Sequence, residues 1–324
     1  MQRRYKYRNK KTSKNKVYLK LLKKANVKQS FYIRDVLQVI LLFAIFSLWL
    51  WIRNVKINTS QISPKPTMER FLEIAMQPIG STMYIWGGGW NVEDNQSGAG
   101  STRIGVSPIW EEFAQKQDAT YNYEDYRYKR ELGLDCSGYV GWVIYNLFET
   151  ENGNKGYVTF STEMAENFAK RGWGRLYKNP KDFLTGDIVS MDGHVWICLG
   201  TCDDGSVLLV HSSPPGVSIC GTQAPIKHLE FSNGESENTE NTNTEYQNEI
   251  SVKKSIAVEF AETFMEAYYP KWQMMYPNRT VSTTYLKDVT VMRWNVETLS
   301  DIKKYQEMSG EEVMQFLEEL QMRN

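Results

Sequence analysis

Histidine and cysteine are scarce in this chain, with three of one and four of the other in 324 residues. No two cysteines stand in Cys-x-x-Cys spacing, so the paired ligands of a structural zinc site are missing. A set drawn from His194, Cys198, Cys202 and His211 lacks that spacing too, and no metal or cofactor is expected. Net charge is also missing, but the zero total hides an asymmetry. The first 34 residues are strongly basic, from Arg3 and Arg4 through Lys28 to Arg34, so the remainder is net acidic. That balance argues against a nucleic-acid enzyme, and no nucleic-acid partner is expected.

Charge then disappears between Asp35 and Arg53. Residues 36–52 would span about 25 Å as a helix, close to a bilayer core. Trp49 and Trp51 sit near one end, as interface anchors do. No small-residue cleavage site follows Ile52, which argues for a retained anchor over a removed signal peptide. A buried core helix would show the same apolar run. The expected order is a basic cytoplasmic arm at 1–34, a transmembrane signal anchor at 35–53 and a polar stalk at 54–66. The rest would lie outside the cell membrane, because the basic flank stays inside.

The outer part is organised around Leu134-Asp-Cys-Ser-Gly-Tyr-Val140. Val140, Val143, Ile144 and Leu147 recur at helical spacing, and Asp135 is a good N-cap residue. Cys136 therefore falls in the first helical turn, where exposed N–H groups and the macrodipole favour a thiolate. A small buried core residue is the alternative reading.

Around this helix, Thr67 can cap an amphipathic helix carrying Phe71, Leu72, Ile74 and Ala75. Tyr84-Ile-Trp-Gly-Gly-Gly-Trp90 runs aromatics into glycines, as in a loop lining a cleft. Residues 91–133 form an insertion with a short helix near 108–117. Its tyrosines, Tyr121, Tyr123, Tyr126 and Tyr128, either line a groove or pack a surface flap. Past the Cys136 helix, Thr162 to Arg171 reads as a helix. Leu184 to Val189 turns into a strand, and His194–Leu199 and Ser206–His211 form a hairpin around Cys202-Asp-Asp-Gly205. With Thr201 facing Ser206, paired numbers sum to 407, and His194 and His211 share one sheet face. An even sum would separate them. Cys198, Cys202 and Cys220 either include one disulfide or are simply buried.

Residues 232–250 are polar, acidic and repetitive, and read as a disordered linker or loop. In the segment 251–324, helices are expected at 256–269 and 310–322 and a strand at 289–294. One strand cannot bury itself alone, so this segment should complete the main sheet.

A cysteine nucleophile needs a base, and the base needs an orienting group. Cys136, His194 and His211 can fill these roles. Here the chain resembles the NlpC-type papain-like cysteine peptidases of bacterial cell walls, over roughly residues 68–220. Tyr84-Ile-Trp-Gly-Gly is similar to the family's entry motif and Leu134-Asp-Cys-Ser-Gly-Tyr-Val to its nucleophile motif. Leu184-Thr-Gly-Asp-Ile-Val resembles its Pro-Gly-Asp turn, with Thr185 in place of proline. His194-Val-Trp-Ile and Val210-His-Ser-Ser resemble its base and third-residue strands. The resemblance implies an α+β, papain-like fold with N-terminal helices packed on an antiparallel sheet, here over residues 67–231 and preceded by one transmembrane helix. It implies hydrolysis of a wall stem peptide after γ-D-glutamate through a thioester, with peptidoglycan as partner. Tyr84 and Trp86 would line the site, and Asp135 and Ser137 would hold the substrate amine. A non-catalytic wall-binding scaffold, or a related amidase or acyltransferase, is the alternative. Cell-wall or conjugation machinery is a further candidate partner. The long insertion and the segment from 232 onward depart from the family pattern.

Overall fold

Thr67 opens the first helix, α1 (Met68–Met76), by accepting the Arg70 N–H at 3.1 Å on its hydroxyl. Phe71, Leu72, Ile74 and Ala75 are buried, as their spacing requires. The computed structural model describes residues 65–89, 104–148, 157–225 and 254–323, with scattered positions between 19 and 47. Two units separate, Met1–Pro64 and Lys65–Asn324. In the first, Ile40, Leu41, Leu42, Ile45 and Phe46 are helical and each exposes more than half of its surface. Among the described residues no helix is long and apolar enough to cross a membrane. Most of the expected anchor at 35–53 lies outside the described residues. So do the arm at 1–34 apart from Leu19, the stalk up to 64, the start of the insertion and the linker at 232–250.

The second unit is α+β. After α1 come α2 (Pro108–Gln115), α3 (Cys136–Phe148) and α4 (Met164–Lys170). Then follow β1 (Gly174–Lys178), β2 (Ile188–Met191), β3 (His194–Thr201), β4 (Val207–Ser213) and β5 (Gly216–Thr222). The C-terminal segment adds α5 (Ile256–Tyr268), α6 (Pro270–Met275), β6 (Thr280–Val281), β7 (Thr290–Trp294) and α7 (Gly310–Arg323). The seven strands make one sheet in the order β1-β7-β2-β3-β4-β5-β6. It is antiparallel except at one edge, where β6 pairs parallel with β5, so the expectation of an antiparallel sheet needs that correction. Helices α1, α3, α4 and α5 bury their apolar faces on one side, together with Val195, Ile197, Leu208 and Val210 of the sheet. A smaller cluster on the opposite face holds Phe183, Val189, Trp196, Cys198, Leu209 and Val291.

The C-terminal segment completes this fold, as a lone strand must. β7 is inserted between β1 and β2, with Val291 opposite Val189 and Tyr177. Cys198, Cys202 and Cys220 are all free and buried.

The hairpin β3–β4 holds a feature that decides where the histidines go. Near the loop, Thr201 faces Val207 and Gly200 faces Leu208, an even-sum register; Thr201 does not face Ser206. Carried along the strands, this register would put His194 and His211 on opposite faces. A bulge between Cys198 and Gly200 resets the pairing to Cys198 with Leu209 and Ile197 with Val210. Both histidines then fall on the second sheet face. Gly200 suits the bulge: its φ is +146°, and a Cβ there would lie 2.9 Å from the Gly310 Cα at the start of α7. Gly200→Ala should therefore cost about 1–3 kcal/mol of stability, read as a lower urea midpoint with unchanged slope.

Candidate active site

Asp135 caps α3 as expected, accepting the Gly138 N–H at 2.7 Å and the Ser137 hydroxyl at 2.8 Å on Oδ1. The glycine loop sits directly on this turn. A Cβ on Gly138 would come within 2.3 Å of the Gly88 carbonyl, so both chains approach as only glycine allows. The close approach fixes Tyr84 and Trp86 at the rim of a cleft of about 700 Å³, which Asp135, Cys136 and Ser137 also line. Tyr84 is nearly buried, its ring edge-on to Tyr123 at 5.4 Å. Trp86 is half exposed, with the Arg127 guanidinium 4.9 Å from its ring centre.

The insertion's tyrosines pack as a flap and are not among the residues lining the cleft. Tyr121 and Tyr126 pack with Phe113, and the Tyr121 hydroxyl donates to the Tyr84 carbonyl at 2.6 Å. Tyr123 and Arg127 reach the rim. The cleft has another wall in Val158, Thr159, Phe160 and Ser161, with Phe160 79% exposed. Sequence reasoning missed this wall. A bare aromatic just before a helix was the available signal.

His194 and His211 come together, with Nε2 of His194 3.0 Å from Nδ1 of His211. If the His194 Nε2–H donates, its Nδ1 lone pair is left for a thiol. Cys136 abuts the start of the same strand: the Val195 N–H, with those of Ser137 and Cys136 itself, faces its Sγ. These donors favour the thiolate, yet burial outweighs them. Only 8% of Cys136 is exposed, and desolvation, aided by the Asp135 carboxylate, pushes its thiol up to about 12. Burial likewise pushes His194 down to about 4 and His211 well below the imidazole range. The expectation of a resting thiolate is therefore corrected. At neutral pH the site holds a thiol and neutral imidazoles, because removing charge from water costs more than one helical turn returns.

The sign of this shift can be measured. A raised pKa leaves less thiolate at pH 7 than in an unfolded chain. Iodoacetamide should alkylate Cys136 in the folded protein more slowly than after unfolding, with a rate still climbing above pH 9. A rate flat from pH 6 to 8 would mean a preformed thiolate.

Sequence reasoning also missed Tyr285, on the 3-10 turn Thr283–Leu286. Its ring lies 5.4 Å from that of His194 and 5.9 Å from that of His211, and it covers Trp196 as well. Its phenol is within electrostatic reach of Cys136 and is hydrogen-bonded with Ser213. No local pattern marked it, since its partners precede it by more than seventy residues.

Comparison with protein-family models, curated proteins and solved structures finds no match. Among the described residues no group of three histidine, cysteine or acidic side chains could hold a metal ion. The site combines a buried thiol, a hydrogen-bonded imidazole pair that begins on the adjoining strand, and an open cleft.

Proposed function

We propose that this protein is a membrane-anchored cysteine peptidase of the NlpC type, hydrolysing an amide bond in peptidoglycan stem peptides, after γ-D-glutamate. The observation that carries the reading is the His194–His211 pair at 3.0 Å, with His194 on the strand whose Val195 N–H faces the Cys136 Sγ. The papain-like assignment is supported by the Cys136 helix packed on one face of a sheet that bears both histidines. The anchor is supported by the uncharged run at 36–52 and by the exposed apolar side chains of its described helical residues. The N-terminus would then be cytoplasmic and the catalytic unit extracellular, where wall peptides are.

In this reading, substrate enters the cleft and displaces water. His194 Nδ1 takes the thiol proton as Sγ attacks the carbonyl carbon. The oxyanion is held by backbone N–H groups at the start of α3. As the C–N bond breaks, His194 returns the proton to the leaving amine, and a thioester remains on Cys136. Water, giving a proton to His194, then attacks the thioester carbon; the C–S bond breaks, the acid leaves and His194 returns the proton to Sγ. His211 holds the His194 ring and tautomer throughout, and Tyr285 packs both rings in place. Asp135 and Ser137, already fixed by the cap, present polar groups to the substrate amine.

The test is incubation of the full-length protein with purified peptidoglycan and mass spectrometry of the released fragments. A new amine on the residue after γ-D-glutamate is expected. Release of nothing by the wild-type protein under any condition would favour the wall-binding scaffold.

A further inference from the structure

Behind the histidine pair lies a second cavity, of about 270 Å³, which the catalytic reading does not use. His211, Ser218, Cys220, Arg279, Ser282 and Tyr285 are among its walls. None of the residues lining it is acidic. Arg279 is only 1% exposed and forms no ion pair among the described residues. The acidic group with an electrostatic influence on it, Glu262, is already paired with Lys254 at 2.5 Å. Arg279 meets three acceptors: the Gln273 side-chain oxygen at 2.7 Å, the Tyr276 carbonyl and the Cys220 sulfur. A guanidinium has five N–H donors. None of the three acceptors neutralises it, since burial holds Cys220 as a thiol. An isolated buried cation is costly, and such charges are normally paired.

Several of the other lining groups can donate as well. The Ser282 oxygen accepts the Thr284 N–H and leaves its hydroxyl proton to give. Asn278 accepts from Thr280 through Oδ1 and retains its amide N–H groups. His211 is engaged through Nδ1, and its Nε2 has no protein partner among the described residues.

We infer that this cavity is a binding site for a small oxyanion of phosphate size, held between Arg279, Ser218 and Ser282 and accepting from His211 Nε2–H. A planar guanidinium with flanking hydroxyls suits such an anion. The site has a consequence for the pair in front of it. An anion keeps the His211 proton on Nε2, so Nδ1 must accept from His194 Nε2–H. His194 Nδ1 is then the basic nitrogen. The anion thereby selects one of two tautomer chains without touching Cys136.

Binding can be tested without any catalysis. Phosphate is titrated against full-length Cys136→Ala protein at ionic strength fixed with sodium chloride, and the melt is followed by tryptophan fluorescence. A saturable rise of roughly 5 °C is expected at phosphate well above its dissociation constant. The Nε2 nitrogen signal of ¹⁵N-labelled His211 should move to the N–H form over the same concentrations. Ser218→Ala, which keeps the buried cation, should weaken phosphate roughly threefold to tenfold. Arg279→Gln should lose the saturable response altogether. A melt insensitive to phosphate overturns the site, as does an equal response in Ser218→Ala with an unmoved His211 nitrogen. Neither result bears on whether Cys136 is a nucleophile.

Discussion

Cys136→Ser should stop fragment release from peptidoglycan, lowering the rate by at least about 10⁴-fold. The substitution changes one atom, and the site gives the reason that this atom matters. The Sγ is already desolvated at the first turn of α3, with three backbone N–H groups facing it and the thiol pushed up to about 12. A hydroxyl in the same place starts several units more basic and is the poorer nucleophile, so its proton transfer to neutral His194, pushed down to about 4, is steeper than the thiol's. Cys202→Ala is the matched control. Cys202 is buried beside Gly310, away from the cleft, and its loss should leave release unchanged. Equal release by Cys136→Ser and wild-type protein would remove Cys136 from the chemistry, and with it the peptidase reading. Rates are best compared from initial amine release at one peptidoglycan concentration.

The same geometry explains how much of the site could be read along the chain. The motif around Cys136 was legible because capping and helical burial are local: Asp135 caps, and Val140, Val143, Ile144 and Leu147 are buried as spaced. The histidine pair was legible through the hairpin, but for a reason that was only half right. The loop is one residue longer than assumed, and the bulge at Cys198–Gly200 cancels the difference. A bulge is a tertiary accommodation. Here it is tied to Gly310, more than a hundred residues away, and no alternation pattern announces it.

Three strands were missed: β6 is only two residues long, and β1 and β5 were missed for opposite reasons. β1 has no run of buried residues, and its pairing with β7 defines it as a strand. β5 is buried on both faces, but it is built from glycine, serine, cysteine and threonine around Val217 and Ile219, so it shows no clean period of two. The thiolate was misjudged because helix position can be read from sequence, whereas desolvation is set by everything packed on top. Tyr285 and Arg279 belong to the same class. They arrive from the C-terminal segment, so their place beside His211 is a property of the sheet order.

That segment also carries the largest expected stability effect. Arg293 on β7 should be intolerant of change. Arg293→Met leaves Asp187 as a buried carboxylate without a cation, at a cost of about 3–5 kcal/mol. Asp187, in the turn before β2, is fully buried. It accepts the Leu184 N–H at 2.9 Å and two guanidinium N–H groups, from Nε at 3.0 Å and Nη2 at 2.8 Å. Burial raises the Asp187 pKa, and Arg293 works against that rise. Against a total stability of about 5–15 kcal/mol, losing the arginine would bring the unit close to unfolding. The sign with pH follows. A carboxyl whose folded pKa lies above its unfolded value binds a proton more readily when folded, so the variant should regain stability as pH falls from 7 towards 5. Asp187→Asn combined with Arg293→Met should lose less than Arg293→Met alone, because the amide still accepts from Leu184 and carries no charge. Urea midpoints of the single and double variants at pH 7 and 5 measure all of this. If the double variant is the less stable one, the cost lies in lost packing of Arg293 over Tyr177 and not in an orphaned charge.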